Sequence, residues 1–131
     1  MIGTVLAIAG GVGGAKLALG LSMILPPDQL TIIVNTGDDE EFHGLHVSPD
    51  LDTVMYTLAG ISNKEAGWGL ERDTFQSMDM LAQYGGPDWF RLGDRDLATH
   101  IYRSYLLKNG HTLSQTTDML SKSLGIAHTI A

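Results

Sequence analysis

The sequence predicts an α/β protein, Rossmann-like, with a mainly parallel sheet, flanking helices and an incomplete C-terminal end. Three observations lead there. Thr4–Ala9 is a short continuous apolar run, the composition of a strand covered on both faces. A cluster of glycines follows, and then apolar residues at helical spacing. A second apolar run, Leu30–Val34, completes a βαβ unit.

The remaining elements follow in order. After the glycines, Leu17, Leu21, Ile24 and Leu25 fall at i, i+4, i+7 and i+8, which predicts the buried face of a helix. Pro26-Pro27 ends it. Thr36–Asp39 leaves the second strand as a loop, and Phe42–Val47 is a loop or a short edge element. Ser48-Pro49-Asp50 has the form of a helix start: a capping serine, proline at the first helical position and an acid in the first turn. Leu51, Val54, Met55 and Leu58 make that helix's apolar face and Gly60 its stop. Asp73-Thr-Phe-Gln76 resembles a capping box, with Asp73 capping a helix that runs to about Tyr84 and stops at Gly85-Gly86-Pro87. Asp94–Asn109 is helical by pattern, with Leu97, Ile101 and Tyr105 on one face and Gly110 as its stop. Thr112-Leu-Ser-Gln115 is a second capping box; Leu113, Leu120 and Leu124 share a face, and Gly125 closes that helix. Ile126–Ala131 reads as the onset of a strand. Residues 1–131 are therefore expected to be the N-terminal part of one longer domain.

Composition removes several function classes. The 131 residues include 15 acidic and 8 basic side chains, for a net charge of −7. Duplex nucleic acid calls for clustered Lys and Arg, so no nucleic-acid partner is expected. Anionic ligands remain open, because backbone N–H groups or a bound cation can hold them. The absence of cysteine excludes disulfides, thiolate nucleophiles and Cys-based zinc sites, and is compatible with a cytoplasmic location. Met1–Leu25 is apolar but carries no basic leader and is interrupted by Gly10, Gly11, Gly13, Gly14 and Lys16, so no membrane association is expected.

Four segments could carry chemistry. Gly10-Gly-Val-Gly-Gly-Ala-Lys16 lies between a strand and a helix, where free N–H groups and the helix dipole favour a phosphate. It lacks the third glycine of the dinucleotide fingerprint and the Gly-Lys-Ser/Thr of a Walker loop. The plainer alternative is a tight turn without a ligand. Asn35-Thr-Gly-Asp-Asp39 follows the second strand, at the end where open parallel sheets bind ligands, and adjacent carboxylates there suit a hard cation. Asp50 and Asp52 sit in one helix start, where capping alone would also explain them. Leu92-Gly-Asp-Arg-Asp96 opens another helix, and Asp96, His100 and Arg103 form a polar stripe that could face a cleft or merely cap and solvate it. His43 and His46 have no third nitrogen or sulfur ligand, which argues against zinc. Trp68, Tyr84, Trp89 and Phe90 are loop aromatics that either pack together or stack on a flat ligand.

Taken together, Gly10–Lys16, Val34–Asp39, Ser48–Leu58 and Leu92–His100, in that order and spacing, resemble the 2-phospho-L-lactate transferase family of coenzyme F-420 biosynthesis. Trp68-Gly69, Asp73-Thr74 and Leu113-Ser-Gln115 fit as well, and the resemblance covers essentially the whole chain. It implies a transferase that moves a 2-phospholactyl or phosphoenolpyruvyl group from a guanosine diphosphate conjugate to the ribityl hydroxyl of a deazaflavin, releasing GMP, with Mg²⁺. On this resemblance Gly10, Gly11, Gly13, Gly14, Lys16, Asn35, Thr36, Asp94, Arg95, Asp96 and His100 bind substrate. Asp50 and Asp52 are the candidate catalytic carboxylates, and Asp38, Asp39, Asp50 and Asp52 are expected to converge on one cation. A homodimer is compatible with it. Family members are about twice as long, so residues 1–131 are expected to complete no turnover unaided. The alternatives are a related nucleotide-sugar-binding regulator without transferase activity and, disfavoured by the missing glycine, a dinucleotide-dependent oxidoreductase.

Overall fold

The computed structural model describes residues 3–87 and 89–131. Strand β1 (Val5–Ala9) leads directly into helix α1 (Gly11–Ile24), and a short 3₁₀ turn, Pro27–Gln29, returns the chain to β2 (Leu30–Val34). β1 and β2 pair in parallel over their whole length, from Val5 opposite Leu30 to Ala9 opposite Val34. β5 (Thr129–Ile130) adds to the other side of β2, also in parallel, giving the order β1-β2-β5. This is a parallel α/β sheet with helices against it, as predicted.

The expected buried face of α1 is corrected. Leu17 and Ile24 are exposed and Leu21 and Leu25 only partly buried, whereas Ala15 and Ala18 are buried in the main core. The cause is close approach: a Cβ on Gly14 would stand 2.8 Å from the Ala9 Cα. The small residues let the first turn of α1 pass close to the end of β1 and let the helix pack closely on helix α2 (Pro49–Ala59), where leucines would hold it off. Gly14 is thus required by packing.

β3 (Glu40–Phe42) and β4 (Leu45–Val47) form a separate antiparallel hairpin. His43 and Gly44 both have positive φ, as a tight two-residue hairpin turn demands. Helix α2 (Pro49–Ala59) begins and ends where expected, with Gly60 left-handed at φ 75°. Its Leu51, Val54 and Met55 join Ile32, Val34 and Ile130 in the main core. Ser48, expected as its side-chain cap, makes no cap bond; its hydroxyl donates to Asp39 instead.

Helices α3 (Gln76–Gln83) and α4 (Asp94–Lys108) exchange caps. Asp73 was expected to cap α3. Its carboxylate instead accepts from the Arg95 and Asp96 N–H groups at the start of α4. Asp94 accepts from Thr74 Oγ1 and from the Gln76 and Ser77 N–H groups at the start of α3. Gly93 makes room, since a Cβ there would run into the Asp73 carboxylate. Hydrogen bonds from Thr74, then Ser77 and Gln76, hold the Asp94 carboxyl down at about 2. An acid with a lowered folded pKa stabilises above its unfolded pKa of about 3.9 and loses that contribution as pH falls through the folded value. Helix content followed by circular dichroism is therefore expected to fall between about pH 4 and pH 2 in the native chain, and Asp94→Asn is expected to remove that step. An unchanged acid profile in the variant would contradict the exchanged cap.

Helix α5 (Leu113–Ser123) carries the predicted capping box, with Thr112 Oγ1 accepting from Gln115 N–H and Gln115 Oε1 accepting from Thr112 N–H. Its buried side is Thr116, Thr117 and Ser121, and Leu124 of the predicted face is exposed. No helix among the described residues is long and apolar enough to cross a membrane.

Candidate active site

The site is built around the first turn of α2, which sends two carboxylates in different directions. Asp50 turns toward the end of β2. Its Oδ2 accepts from Asn35 Nδ2 at 2.9 Å, and the same nitrogen stands 3.4 Å from Asp38 Oδ2. Asn35 is oriented by its own Oδ1, which accepts the Gly37 N–H. A Cβ on Gly11 would lie 3.9 Å from Asp50 Oδ1 and one on Gly10 3.7 Å from Asn35 Cβ, so the glycine turn adjoins this group. Helix α1 has no side-chain cap and no acid in its first turn, so its leading N–H groups are free to donate to an anion. Thr36 closes the loop, its carbonyl accepting the Asp39 N–H. Gly13 has no neighbour within 4 Å of a built Cβ. Lys16 lies one turn along α1, lining a separate groove with Lys64.

Asp52 turns inward. It is 5% exposed and forms a bidentate ion pair with Arg103 of α4, which is 1% exposed. Burial raises the Asp52 carboxyl, and the Arg103 charge opposes that. Arg103 also reaches His100 Nδ1 at 3.3 Å, and His100 Nε2 stands 3.3 Å from Asp96 Oδ2. Tyr56 donates its hydroxyl to Asp96 Oδ1 at 2.6 Å. Burial pushes the Tyr56 phenol far up. It also opposes ionisation of Asp96, but the hydrogen bond and charge of His100 outweigh it and hold that carboxyl low.

Of the four aspartates expected on one cation, Asp52 is drawn away from the loop at the end of β2. Asp38 and Asp50 meet at Asn35; Asp39 Oδ2 takes the Ser48 hydroxyl and His46 Nε2; Asp52 is held by Arg103. Among the described residues, the group of potential metal ligands whose atoms lie within 4.8 Å of one another is Asp52, Asp96 and His100. The separation is physical: Asp50 and Asp52 are two residues apart on a helix, about 200° around its axis.

The polar stripe of α4 is its buried face, with Asp96, His100, Arg103 and Leu106 inward. Ile101 and Tyr105, predicted inward, are exposed at 50% and 60%. Asp96, His100, Tyr56 and Asp52 line the inner end of a cavity of about 260 Å³ whose other walls are mainly apolar. Phe42 meets Trp89 and Phe90 edge-on, and Trp68 stacks over Phe90 at 6.1 Å. Tyr84 stands apart from them, 80% exposed. Asp94 and Arg95 serve the caps described above, and the Arg95 guanidinium donates to the Glu71 carbonyl. Sequence reasoning missed Phe42 and Tyr56 as cavity residues. Tyr56 could have been found, since it stands four residues after Asp52 on an otherwise apolar face.

The architecture is that of a Rossmann-like α/β protein in which a glycine turn and an acidic loop meet at the C-terminal ends of parallel strands. Residues 5–131 match the family described as 2-phospho-L-lactate transferase CofD, and the chain belongs to that family. It is 53% identical over 117 residues to a protein of Streptomyces griseus named phosphoenolpyruvate transferase, covering 88% of this chain and 37% of that protein. Identity is 47% over 125 residues to the phosphoenolpyruvate transferase of Mycolicibacterium smegmatis, covering 88% and 38%. It is 47% over 127 residues to that of Mycobacterium tuberculosis, covering 86% and 38%. The chain thus spans under two-fifths of the length of these relatives.

Proposed function

We propose that this chain carries the acceptor and phosphate sites of a transferase that moves a phosphoenolpyruvyl or 2-phospholactyl group from a guanosine diphosphate conjugate to a deazaflavin alcohol. The single observation that carries this is the divergence of Asp50 and Asp52 from one helical turn. Asp50 borders the glycine turn, a phosphate-binding environment, and Asp52 borders an aromatic cavity suited to a flat ring. An alcohol attached to a ring in the cavity would reach the phosphate side at Asp50.

The free N–H groups of α1 hold the diphosphate oxygens, with Asn35 fixing the Asp50 carboxylate beside them. The hydroxyl oxygen attacks the phosphorus bearing the acid. A new P–O bond forms, the bond to the bridging oxygen of GMP breaks, and the hydroxyl proton passes to Asp50. Mg²⁺ suits this loop: Asp39 Oδ1 is buried without a hydrogen-bond partner and Asp38 is exposed. Asp38 and Asp39 would hold it, and bound there it supplies neutralisation of the diphosphate charge. A cytoplasmic enzyme is the corresponding location.

The test is a chimaera in which residues 5–131 replace the matching segment of the Streptomyces griseus relative. With Mg²⁺, a deazaflavin acceptor and the guanosine diphosphate-linked acid, GMP release is expected. Tight binding of a UDP-sugar with no transfer to any acceptor would instead establish the regulator.

A further inference from the structure

The structure assigns His46 and Ser48 a positioning role in the acidic loop: by engaging one oxygen of Asp39, they leave that carboxylate a single oxygen for a cation and so favour Mg²⁺ over Ca²⁺. This rests on the reading of the loop as a cation site, and it adds which residues set the choice of ion.

The first observation is a bond that is not made. Ser48 stands at the N-cap of α2, where a serine hydroxyl ordinarily accepts an N–H of the first turn, yet it makes no cap bond. Ser48 is fully buried, and its hydroxyl donates to Asp39 Oδ2 at 2.8 Å. His46 Nε2 reaches the same oxygen at 3.0 Å. Carboxylate oxygens accept, so both partners donate and Oδ2 is doubly held.

The His46 ring is carried on a fixed backbone. Its N–H donates to Ser104 Oγ at 2.8 Å, and its carbonyl accepts from Arg103 Nη1 at 3.4 Å. His46 also pairs with Glu41 across the β3–β4 hairpin. On the other side of the contact, the Asp39 N–H donates to the Thr36 carbonyl and closes the loop. Both ends of the contact are thus set before any ion binds.

Asp39 Oδ1 is left over, buried and without a hydrogen-bond partner among the described residues. A buried polar atom in that state is costly, and a cation bonded to it removes the cost. With Oδ2 engaged by two donors, Asp39 offers an ion one oxygen. Ca²⁺ takes about six to eight oxygens in a flexible arrangement and often draws two of them from one carboxylate. Mg²⁺ demands a tight octahedron, takes one or two carboxylates and keeps waters for the remaining positions. Asp39 held in this way is a ligand of the second kind. Without its two donors the carboxylate is free to turn and offer both oxygens.

The experiment titrates the 131-residue chain, and the chimaera above, with two ions. Mn²⁺, which shares with Mg²⁺ a preference for octahedral oxygen ligands, is followed by electron paramagnetic resonance, and Ca²⁺ by calorimetry. Mn²⁺ is expected to bind more tightly than Ca²⁺. In the double variant His46→Leu, Ser48→Ala, Mn²⁺ binding is expected to weaken about tenfold or more, the usual result of removing hydrogen bonds to a metal-binding side chain, while Ca²⁺ binding holds or tightens. His46→Gln, which keeps a donor, should retain more of the preference than His46→Leu. A purely structural role would weaken the two ions alike, so the ratio of affinities carries the test. Thermal melts establish that each variant is folded, and Ser48→Ala alone, which removes one oxygen atom, tests the ratio if the double variant is not. An unchanged ratio in the folded variants, or Ca²⁺ binding as tight as Mn²⁺ in the parent, overturns the inference and leaves the cation reading intact. Mn²⁺ binding lost in Asp38→Asn and unaffected in Asp39→Asn also overturns it, with the ion kept at Asp38. Absence of Mn²⁺ binding to both proteins overturns both readings.

Discussion

Replacing Arg103 by methionine is expected to destabilise the chain by about 3–5 kcal/mol, the range seen when one partner of a buried ion pair is removed. Arg103 joins three elements: it pairs with Asp52 of α2, bonds to His100 on its own helix and reaches the His46 carbonyl of β4. The variant leaves Asp52 buried without its guanidinium partner, beside His100 Nδ1 at 3.5 Å. Asp52 then ionises only at a cost, so its folded pKa rises further above the unfolded value. Stability from such a group is present below the unfolded pKa and is lost as pH rises through the folded one, so the deficit is expected to narrow in acid. The double variant Arg103→Met, Asp52→Leu should recover much of the loss, because an apolar pair of similar volume needs no charge partner. Urea denaturation midpoints decide it. A single-variant loss under about 1 kcal/mol would mean that the pair does not hold α2 to α4.

Asp50→Asn in the chimaera is expected to lower kcat by about 10²–10⁴-fold, the usual contribution of a positioned proton acceptor. The amide oxygen can still accept from Asn35, so the loop geometry and the melting temperature should hold. Deazaflavin affinity should hold as well, since the ring is gripped elsewhere. Turnover within about threefold of the parent would remove Asp50 from the chemistry and leave it as a loop anchor.

What the sequence disclosed and what it hid divide along one physical line. The bounds of β2, the stop of α2 at Gly60 and the Thr112–Gln115 capping box were legible, because each depends on residues within a few positions of one another. The inward side of α1 was not, because it is decided by how closely Ala9 lets the helix approach. Nor was the exposure of Ile101 and Tyr105, since hydrophobicity alone turns α4 the wrong way. Its inner side is charged only because Asp52 and Tyr56 arrive from another helix to satisfy Asp96, His100 and Arg103. The site followed the same pattern. Spacing grouped Asp50 with Asp52, but a helix places neighbours two apart on different sides.

The exchanged caps have a consequence for how the aromatic wall can vary. Asp73 and Asp94 bind each other's helix starts, so the chain between them is a closed loop without a covalent link. Trp89 and Phe90 lie just inside the second anchor, and Gly85-Gly86-Pro87 forms the bend before them. Closing a loop costs entropy that grows only logarithmically with its length, about 0.6 kcal/mol for each doubling. Residues inserted at the 85–87 bend should therefore be absorbed cheaply while both anchors remain, and the cavity could be widened there without disturbing the glycine turn. Cutting either anchor should do the opposite. It would leave the bend's length unchanged, release the entropy the loop had lost, and free the aromatic side chains from a fixed position over the cavity.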